Sequence, residues 1–456
     1  MPEDRTADPK PTKSIPKLGG WGRFPVTETV AVRPEKNRDL YPVGSHCLAR
    51  GMGRSYGDAA LLTGGTVVMT EKLDRFIEFD EDSGTLRSEA GATLKDVLDT
   101  FVPRGWFVPV TPGTKHCTLG GCVAADVHGK NHHHEGTFGR HVERLVVVLA
   151  DGSRISCGPS ENAGLFWATV GGMGLTGLIS EVTLRLTPVE TALMKVKHTK
   201  SANLDQTVDL LTDARYDARY TVAWLDCLAK GARLGRGVLM AGDHALKSEV
   251  SLRIQDPLVT RAKRAKPFPF EFPGWVLNPM TIKAFNALYY AYQGRRKEFV
   301  CGYDEYFYPL DGIDSWYRMY GKRGFVQYQY VMPTETARQG TREVLTLLSG
   351  EKKASFLAVL KRFGPQGQGL LSFPMEGLTL ALDIPMSDEL LPFLDRLDEI
   401  VLKYKGRIYL AKDSRMEPEV FKAGYPRIDE FCRTRAQFDP EGRFDSDMAR
   451  RLKLCQ

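Results

Sequence analysis

The segment ARGMGRSYGDA (residues 49–59) decides the fold, because it builds a glycine-rich loop directly after a short β-like run. Two similar loops follow, PGTKHCTLGG (residues 112–121) and VGGMGLTG (residues 170–177). Glycine lets the backbone approach a ligand closely, so such loops can offer N–H groups to an anion. Any one loop is more simply explained by turns. The three together favour a site for a pyrophosphate-like ligand.

The third loop contains a GxGxxG pattern at Gly172, Gly174 and Gly177. A dinucleotide-binding fold of the Rossmann type needs a strand before this pattern and a helix after it. Here the helical run ENAGLFWATV precedes the glycines and the strand-like LISEVTLRLTP follows them. The order is reversed, which argues against a nicotinamide site.

Short β-like runs and amphipathic helices alternate without the regular strand–helix repeat of a parallel sheet, which predicts an α+β fold. Runs such as FIEFD, RLVVVLA and EVTLRL fill the first part. Beyond about residue 190, strands such as FVQYQYVMP and LTLALDIP alternate with helices such as LLPFLDRLDEIVLKY. We therefore expect a flexible arm at 1–18, a first domain at 19–190 and a second domain from 191 to 406.

Composition and charge narrow the class of protein. The chain has 456 residues, with 62 Lys and Arg against 56 Asp and Glu. This balance is too weak for a nucleic-acid binder, but it suits an anionic ligand or membrane surface. The eight cysteines form no CxxC pair and are expected to be reduced thiols. No apolar run is long enough to span a bilayer and no signal peptide begins the chain, so we expect a cytoplasmic location. Membrane association and action in the periplasm stay open.

Residues 253–297 combine bases, prolines and aromatic residues, as in RAKRAKPFPFEFPGWVLNPM. One interpretation is an ordinary surface loop whose aromatic residues join the core. The other is a lid on a membrane surface or an amphiphilic substrate, with Phe268, Phe270 and Trp275 reaching the acyl boundary. Composition does not choose between them.

The loop ADVHGKNHHHEG holds His128, His132, His133 and His134. Clustered imidazoles suit zinc or copper, but no HExxH helix, cysteine pair or acidic triad accompanies them. Lys130 also fits an anionic substrate better than a metal cage. We therefore predict no metal site here, and a polar loop that faces a cofactor or a sugar.

The motifs GRSYGD, PGT with TLGG, VHGKNHH, LFWATVGGMGLTG, FVQYQYVMPTE, YLAKDSR and DPEGRFDSDMARRL occur in this order. Together they resemble the flavin-dependent decaprenylphosphoryl-β-D-ribose 2'-oxidases, within the vanillyl-alcohol oxidase-type group. The likeness runs from about residue 19 to the C-terminus. It implies a two-domain, PCMH-like FAD-binding fold with an antiparallel-sheet substrate domain. It also implies that residues 407–456 return from the substrate domain to the FAD domain.

The resemblance also implies which residues line the FAD. They are Ala49, Arg50, Gly51, Met52, Gly53, Arg54, Ser55, Tyr56, Gly57, Asp58, Ala59, Gly113, Thr118, Leu119, Gly120, Gly121, Ala125, Asp126, Val127, His128, Ile179 and Tyr409. Many oxidases of the wider group attach FAD covalently through a histidine in the first loop. Arg54 occupies that place here and has no nucleophile at neutral pH, so we expect non-covalent FAD.

Oxidation of a secondary alcohol needs a hydride acceptor and a base for the hydroxyl proton. The resemblance indicates Tyr56 and Lys412 as the catalytic residues. A lysine acts as a base only if its pKa falls; otherwise Lys412 would stabilise negative charge. Which of the two is the base stays open.

The substrate side is implied in the same way, by Lys130, His128, Trp224, Gln327, Gln329, Lys361, Thr379 and Ala381. Lysines suit a phosphate, and alternation along QYQY puts both glutamines on one face. Ala381 stands where well-studied family members carry a cysteine, Thr379 where they carry asparagine, and Val222 where a serine is expected. We therefore expect resistance to inhibitors that trap that cysteine, and the lipid and sugar stay open.

The implied substrate is a polyprenyl-phosphate pentose, oxidised at its 2'-hydroxyl as the first half of an epimerisation towards the arabinose donor for cell-envelope polysaccharide. A separate short-chain, NADH-dependent keto-reductase is then the expected functional partner. The alternative is an aldonolactone or alditol oxidase that acts on a small soluble sugar. A non-catalytic flavoprotein would have no need of Tyr56 with Lys412.

Overall fold

The structure is a computed structural model that describes residues 15–259, 265–273, 276–353, 355 and 357–455. Its first strands are β1 (Ile15–Gly19), β2 (Val26–Val32), β3 (Cys47–Arg50), β4 (Thr66–Met69), β5 (Phe76–Asp80), β6 (Thr85–Glu89), β7 (Trp106–Phe107), β8 (Val142–Val148), β9 (Arg154–Cys157), β10 (Leu178–Arg185) and β11 (Thr187–Pro188). The helices between them are α1 (Leu94–Phe101), α2 (Leu119–Ala124), α3 (His132–Glu135) and α4 (Ala163–Thr169).

These strands form two sheets and one short strand pair. A four-stranded sheet has the order β1-β2-β4-β3, and a five-stranded antiparallel sheet has the order β5-β6-β10-β8-β9. The expected arm ends earlier than residue 18, because Leu18 already pairs with Thr27 across β1 and β2. Residues 1–14 of that arm lie outside the described residues.

The second part of the chain builds one large sheet. Its strands are β12 (Leu193–Ser201), β13 (Tyr220–Leu225), β14 (Gly237–His244), β15 (Lys266–Pro267), β16 (Glu298–Gly302), β17 (Ile313–Asp314), β18 (Phe325–Pro333), β19 (Ala358–Phe363), β20 (Gly377–Pro385) and β21 (Arg407–Ile408). Eight of them pair in the order β16-β12-β14-β13-β19-β20-β18-β21, with every pair antiparallel. The predicted α+β class and the antiparallel substrate sheet are confirmed.

The helices of this part are α5 (Leu204–Thr212), α6 (Pro279–Gln293), α7 (Tyr303–Phe307), α8 (Thr334–Gly350), α9 (Leu390–Lys403), α10 (Pro418–Gly424), α11 (Ile428–Phe438) and α12 (Asp447–Arg451). Of these, α5, α8 and α9 pack on strands of the large sheet. Helices α8 and α9 present apolar stripes, including Val344, Leu348, Leu394 and Leu397, to the core beside β18 and β20. Burial of such side chains contributes about 1.5–3 kcal/mol each, so this packing holds the sheet rigidly.

The end of the chain returns to the first sheets. The Cys47 N–H donates to the Arg443 carbonyl at 2.9 Å, and the Arg443 guanidinium donates to the carbonyls of Pro42, Gly44 and Ala150. These contacts agree with a C-terminal return, while the boundaries at 190 and 406 stay predictions. Among the described residues, no helix is both long and apolar enough to cross a membrane.

Cys432 and Cys455 form a disulfide, so the expectation that all cysteines are reduced thiols is wrong for this pair. The pairing depends on the chain beyond α12 folding back beside α11. Spacing along the sequence does not reveal such a contact.

Candidate active site

A cavity of about 560 Å³ lies between the glycine loops and the large sheet. Residues 49–56, 111–114, 124–125 and 127–130 contribute to one wall. The other wall comes from β13, β14, β18, β19 and β20, and from the segment that follows β21. The volume falls in the range of about 300–1,000 Å³ that is typical of ligand sites.

The glycine loops are packed too tightly to accept side chains. A Cβ on Gly57 would lie 1.8 Å from the Asp413 carbonyl oxygen, and one on Gly51 would lie 2.3 Å from Thr118 Oγ1. Gly53 has a φ of +59°, which disfavours other residues. These approaches keep the backbone of the first loop at the cavity wall, where its polar groups can meet a ligand.

Most of the predicted residues line this cavity. The wall includes Ala49, Arg50, Gly51, Met52, Gly53, Arg54, Ser55, Tyr56, Ala59, Gly113, Thr118, Gly120, Gly121, Ala125, Val127, His128, Lys130, Ile179, Trp224, Gln327, Gln329, Lys361, Ala381, Tyr409 and Lys412. Residues from the Gly loops, from four strands of the large sheet and from the segment after β21 thus meet at one place.

Five predicted residues do not reach the wall, and each has another contact. Gly57 packs on the Asp413 carbonyl, and Leu119 is fully buried in the apolar core. Asp58 pairs with Arg451 at 2.8 Å. Asp126 accepts from the Gly139 N–H at 2.9 Å and from the Ser372 hydroxyl. The Thr379 hydroxyl is behind Gln329, 3.1 Å from its Nε2. These five support the wall rather than form it.

Lys412 and Tyr56 are in direct contact. The Lys412 Nζ lies 3.9 Å from the centroid of the Tyr56 ring, as in a cation–π pair. Burial lowers the pKa of Lys412 to about 8, although the nearby Cys117 and Asp383 raise it. Burial also raises the pKa of Tyr56 well above its usual value, and the Asp383 charge adds to this. Near neutral pH the tyrosine therefore keeps its proton, while part of the lysine is a free amine.

Two further buried lysines face the same cavity. Burial lowers the pKa of Lys130 to about 7 and that of Lys361 to about 8, and the charge of Lys361 further lowers the pKa of Lys130. Lys130 donates to the Tyr306 carbonyl and lies 4.0 Å from the Tyr306 ring centroid. Within the described part of the chain, neither lysine has a carboxylate in ion-pair range. Their positive charge is thus available to an anion.

His128 presents a neutral imidazole to the cavity. Burial lowers its pKa well below the usual value, with help from Lys361. The Gln329 Nε2 lies 3.0 Å from the His128 Nε2, which leaves the ring proton on Nδ1 when the amide donates. His128 Nδ1 and Arg54 Nε are both buried and have no hydrogen-bond partner among the described residues. A polar cofactor edge would satisfy such atoms, so the wall fits FAD.

Sequence reasoning named Trp224 and Val222 but missed the rest of an apolar arm of the cavity, and one carboxylate behind it. The arm is formed by Val222, Trp224, Met240, Tyr289, Phe299 and Val359, with Trp224 and Tyr289 rings 4.7 Å apart. The four missed residues are ordinary core residue types, so no sequence signal separates them from the core. The carboxylate is Asp383, on the same face of β20 as Ala381; its signal was a lone charge in the apolar run LTLALDIP.

Ala381 lines the cavity, as expected, and offers no thiol there. Cys117 and Cys301 also line it. The expected resistance to inhibitors that trap a cysteine at position 381 stays a prediction, and a peptide map must separate adducts at these two thiols from one at 381.

The histidine loop divides between the cavity and the surface. His128 lines the cavity, whereas His133 and His134 approach Asp217 outside it, with His134 Nε2 at 3.1 Å from Asp217 Oδ1. Possible ligand atoms of these three residues lie within 4.8 Å of one another. The hydrogen bond already pairs His134 with Asp217, and the absence of a metal site stays a prediction.

Comparison with known proteins agrees with this geometry. The family model of an FAD binding domain matches residues 42–158, and that of D-arabinono-1,4-lactone oxidase matches residues 315–452. The decaprenylphosphoryl-β-D-ribose oxidase of Mycolicibacterium smegmatis is 38% identical over 450 residues, which cover 96% of this chain and 97% of that protein. The chain belongs to the decaprenylphosphoryl-β-D-ribose oxidase family.

More distant relatives share the length of the chain. An L-gulono-1,4-lactone dehydrogenase of Mycobacterium tuberculosis is 23% identical over 446 residues, which cover 95% of this chain and 98% of the relative. The expected vanillyl-alcohol oxidase-type fold is confirmed, and this member of the decaprenylphosphoryl-β-D-ribose oxidase family is an FAD-dependent oxidoreductase.

Acid precipitation is expected to release the FAD into the supernatant. The Arg54 guanidinium lies 4.1 Å from the Trp21 ring centroid and supplies no nucleophile to the flavin methyl group. The measurement is absorbance near 450 nm in supernatant and pellet, with flavin fluorescence of the denatured protein on a gel as a second reading. A fluorescent protein band would contradict the prediction, and a peptide map would then test Cys117 as the attachment site.

Proposed function

We propose that the protein oxidises the 2'-hydroxyl of a polyprenylphosphoryl-β-D-ribose to the 2'-keto sugar. The observation that carries this proposal is the pair of buried lysines, Lys130 and Lys361, without a carboxylate partner among the described residues, beside Lys412 and Tyr56. Isolated buried ammonium groups are costly unless a ligand compensates them. A phosphodiester is such a ligand, and the apolar arm next to it suits the first isoprene units.

The reaction moves a hydride from the sugar C2 and a proton from its hydroxyl. When bound, FAD accepts the hydride. Lys412 takes the hydroxyl proton on Nζ, because its lowered pKa leaves free amine near neutral pH. The C2–H bond breaks, the C=O bond forms, and Lys412 becomes an ammonium. Tyr56 stays protonated and can donate a hydrogen bond to the oxygen that loses its proton.

The remaining polar side chains orient the sugar. Gln327 and Gln329 project from one face of β18 into the cavity, as the alternation of QYQY predicts. The Gln329 amide nitrogen already contacts His128 and Thr379, and that of Gln327 donates to Asp383. The two carbonyl oxygens can accept hydrogen bonds from ribose hydroxyls, which selects the face presented for oxidation. We propose that Lys130 and Lys361 fix the phosphate and thereby the position of C2.

Anaerobic bleaching near 450 nm tests the proposal against the small-sugar alternative. We expect a short-chain prenylphosphoryl ribose to reduce the flavin rapidly. Free ribose, alditols and aldonolactones lack the phosphate and are expected to leave it oxidised. Bleaching by an aldonolactone or alditol instead would assign the protein to the small-sugar oxidases, and bleaching by none of them would refute the oxidation proposed here.

We further propose that the ketone passes to a separate NADH-dependent reductase. The cavity holds one redox site in this proposal, and the return of hydride from the opposite side of C2 requires a second hydride donor. The two enzymes together would invert the configuration at that carbon.

Helix α6 supports the proposal of peripheral membrane contact through residues 253–297. Its inner face brings Tyr289 and Gln293 to the cavity, while Met280, Leu288 and Tyr292 on its outer face are 82%, 72% and 63% exposed. Basic residues Arg295 and Lys297 follow it. Phe270 is also exposed, whereas Trp275 lies outside the described residues. An apolar face beside basic residues is typical of an interfacial helix.

The double substitution Met280→Gln with Leu288→Gln is expected to reduce binding to anionic vesicles several-fold, because each removes apolar area from the interface. Co-sedimentation with phosphatidylglycerol-containing vesicles measures this, and Ile77→Gln, on exposed β5, is the matched control. Equal sedimentation of the double variant and the control would leave this face as ordinary surface.

A further inference from the structure

Asp383 is a buried carboxylate immediately behind the cavity wall. It lies opposite Gln327 in the register of β18 and β20, and the Gln327 Nε2 donates to its Oδ1. The Gln327 side chain is also close enough to Tyr56 to offset part of the rise that burial causes in the pKa of the Tyr56 hydroxyl, and the Tyr320 hydroxyl faces Asp383 from the other side. A continuous set of polar groups therefore connects Asp383 to the Lys412–Tyr56 pair.

Most other buried aspartates pair with an arginine, and Asp126, which does not, accepts from the Gly139 N–H and the Ser372 hydroxyl. Asp58 and Asp413 share Arg451, Asp226 pairs with Arg236, Asp398 with Arg415, and Asp439 with Arg435. None of the described ion pairs includes Asp383. The cation that acts on it is Lys412, across the site. A fixed arginine would hold this carboxylate as a structural charge, whereas Lys412 couples it to a group that gains and loses a proton.

We propose that Asp383 is a positioning residue that holds Gln327 against Tyr56 and whose charge makes Lys412 a stronger base. This inference rests on the proposed function, since it assigns Lys412 the hydroxyl proton. Asp383 contacts Gln327 from behind and does not itself line the cavity, so it acts only through Gln327 and Lys412.

Few of the described charged or titratable groups act on Asp383, Tyr56 and Lys412. Lys412 is influenced by Cys117, Asp383 and Lys361, and Tyr56 is influenced by Arg54 and Cys117 as well. Asp383 is influenced by Lys412 and Tyr320. Burial raises the pKa of Asp383 to about 7, so the carboxylate ionises just below the range in which Lys412 loses its proton. Above about pH 7 Asp383 is negatively charged, and its charge favours the ammonium form of Lys412.

The sign of the effect follows from this arrangement. Removing the carboxylate charge destabilises the Lys412 ammonium and lowers the pKa of Lys412. In Asp383→Asn, the rise of the flavin-reduction rate with pH should therefore move about 1 pH unit to lower pH. The maximal rate should fall several-fold, because a weaker base removes the hydroxyl proton less readily. A structural role alone would lower the rate equally at every pH.

The experiment compares wild type, Asp383→Asn and the control Asp398→Asn by anaerobic stopped-flow reduction with prenylphosphoryl ribose between pH 6 and 9.5. Asp398 is also buried, with a pKa raised to about 7, but it pairs with Arg415 and Tyr328 outside the cavity. Tyr320→Phe is a second variant, because loss of its hydroxyl raises the pKa of Asp383 and should shift the profile in the same direction by less.

Competitive acetylation of Lys412, followed by peptide mass spectrometry against pH, gives a reading without turnover. The pH at which Lys412 is half reactive, its acetylation midpoint, should fall in Asp383→Asn and stay unchanged in Asp398→Asn. An unchanged midpoint and an unshifted rate profile in folded Asp383→Asn and Tyr320→Phe would overturn the inference. If wild-type flavin is not reduced by the lipid-linked ribose, the proposed function fails, while the acetylation midpoint still tests the action of Asp383 on Lys412.

Discussion

Lys412→Met is expected to slow flavin reduction by the lipid-linked ribose by about 10²- to 10⁴-fold, the range for loss of a general base. Methionine keeps the length and apolar stem of lysine, and its sulfur can pack on the Tyr56 ring in place of the amine. None of the ion pairs among the described residues includes Lys412, so the substitution breaks none of them. The protein is expected to fold and to bind FAD normally.

The pH dependence separates a base from a group that stabilises charge. With wild type, the reduction rate should rise as pH passes through about 8, where Lys412 loses its proton. Lys412→Met should lose this rise as well as the rate. Lys403→Met is the control, since Lys403 is exposed on α9 and pairs with Glu343. A wild-type rate that falls with rising pH would assign Lys412 to charge stabilisation instead.

The sequence was most informative where a pattern is local. Alternation along QYQY correctly put Gln327 and Gln329 on one face, because side chains of a strand alternate whatever the tertiary fold. The glycine loops likewise marked the cavity wall, because glycines close together in a short segment, such as Gly51 and Gly53, indicate backbone with no room for a Cβ. Both features depend on residues that are neighbours in sequence.

Features that need distant residues were not predicted. Phe299, Met240 and Val359 come from three strands and resemble any core residue until the sheet brings them to one cavity. The histidine run was ambiguous because His133 and His134 belong to α3 and lie outside the cavity, whereas His128 precedes that helix and lines the cavity. Asp383 was missed because its partners, Gln327 and Lys412, are far from it in the chain. The roles of all these residues stay predictions.

Without substrate, the buried ammonium groups of Lys130 and Lys361 destabilise the folded protein. The lowered pKa values of Lys130 and Lys361 mean that the folded chain binds fewer protons than the unfolded chain between about pH 7 and 10. The free energy of unfolding should therefore rise with pH across this window. As the pH falls, this stability is lost, and the loss is complete once Lys361, with a pKa of about 8, and Lys130, with a pKa of about 7, are protonated. Bound phosphate reverses the penalty, since it favours both ammonium groups.

The double variant Lys130→Met with Lys361→Met should therefore have a higher free energy of unfolding than wild type at pH 7. It should nevertheless bind the substrate at least about 10²-fold more weakly, because the charge-assisted contacts with the phosphate are lost. Thermal unfolding and the substrate dependence of flavin bleaching measure the two effects. The control is Lys195→Met with Lys403→Met, two exposed lysines with carboxylate partners. Because a purely structural pair would lose stability on substitution, a lower melting temperature with unchanged affinity would refute the phosphate site.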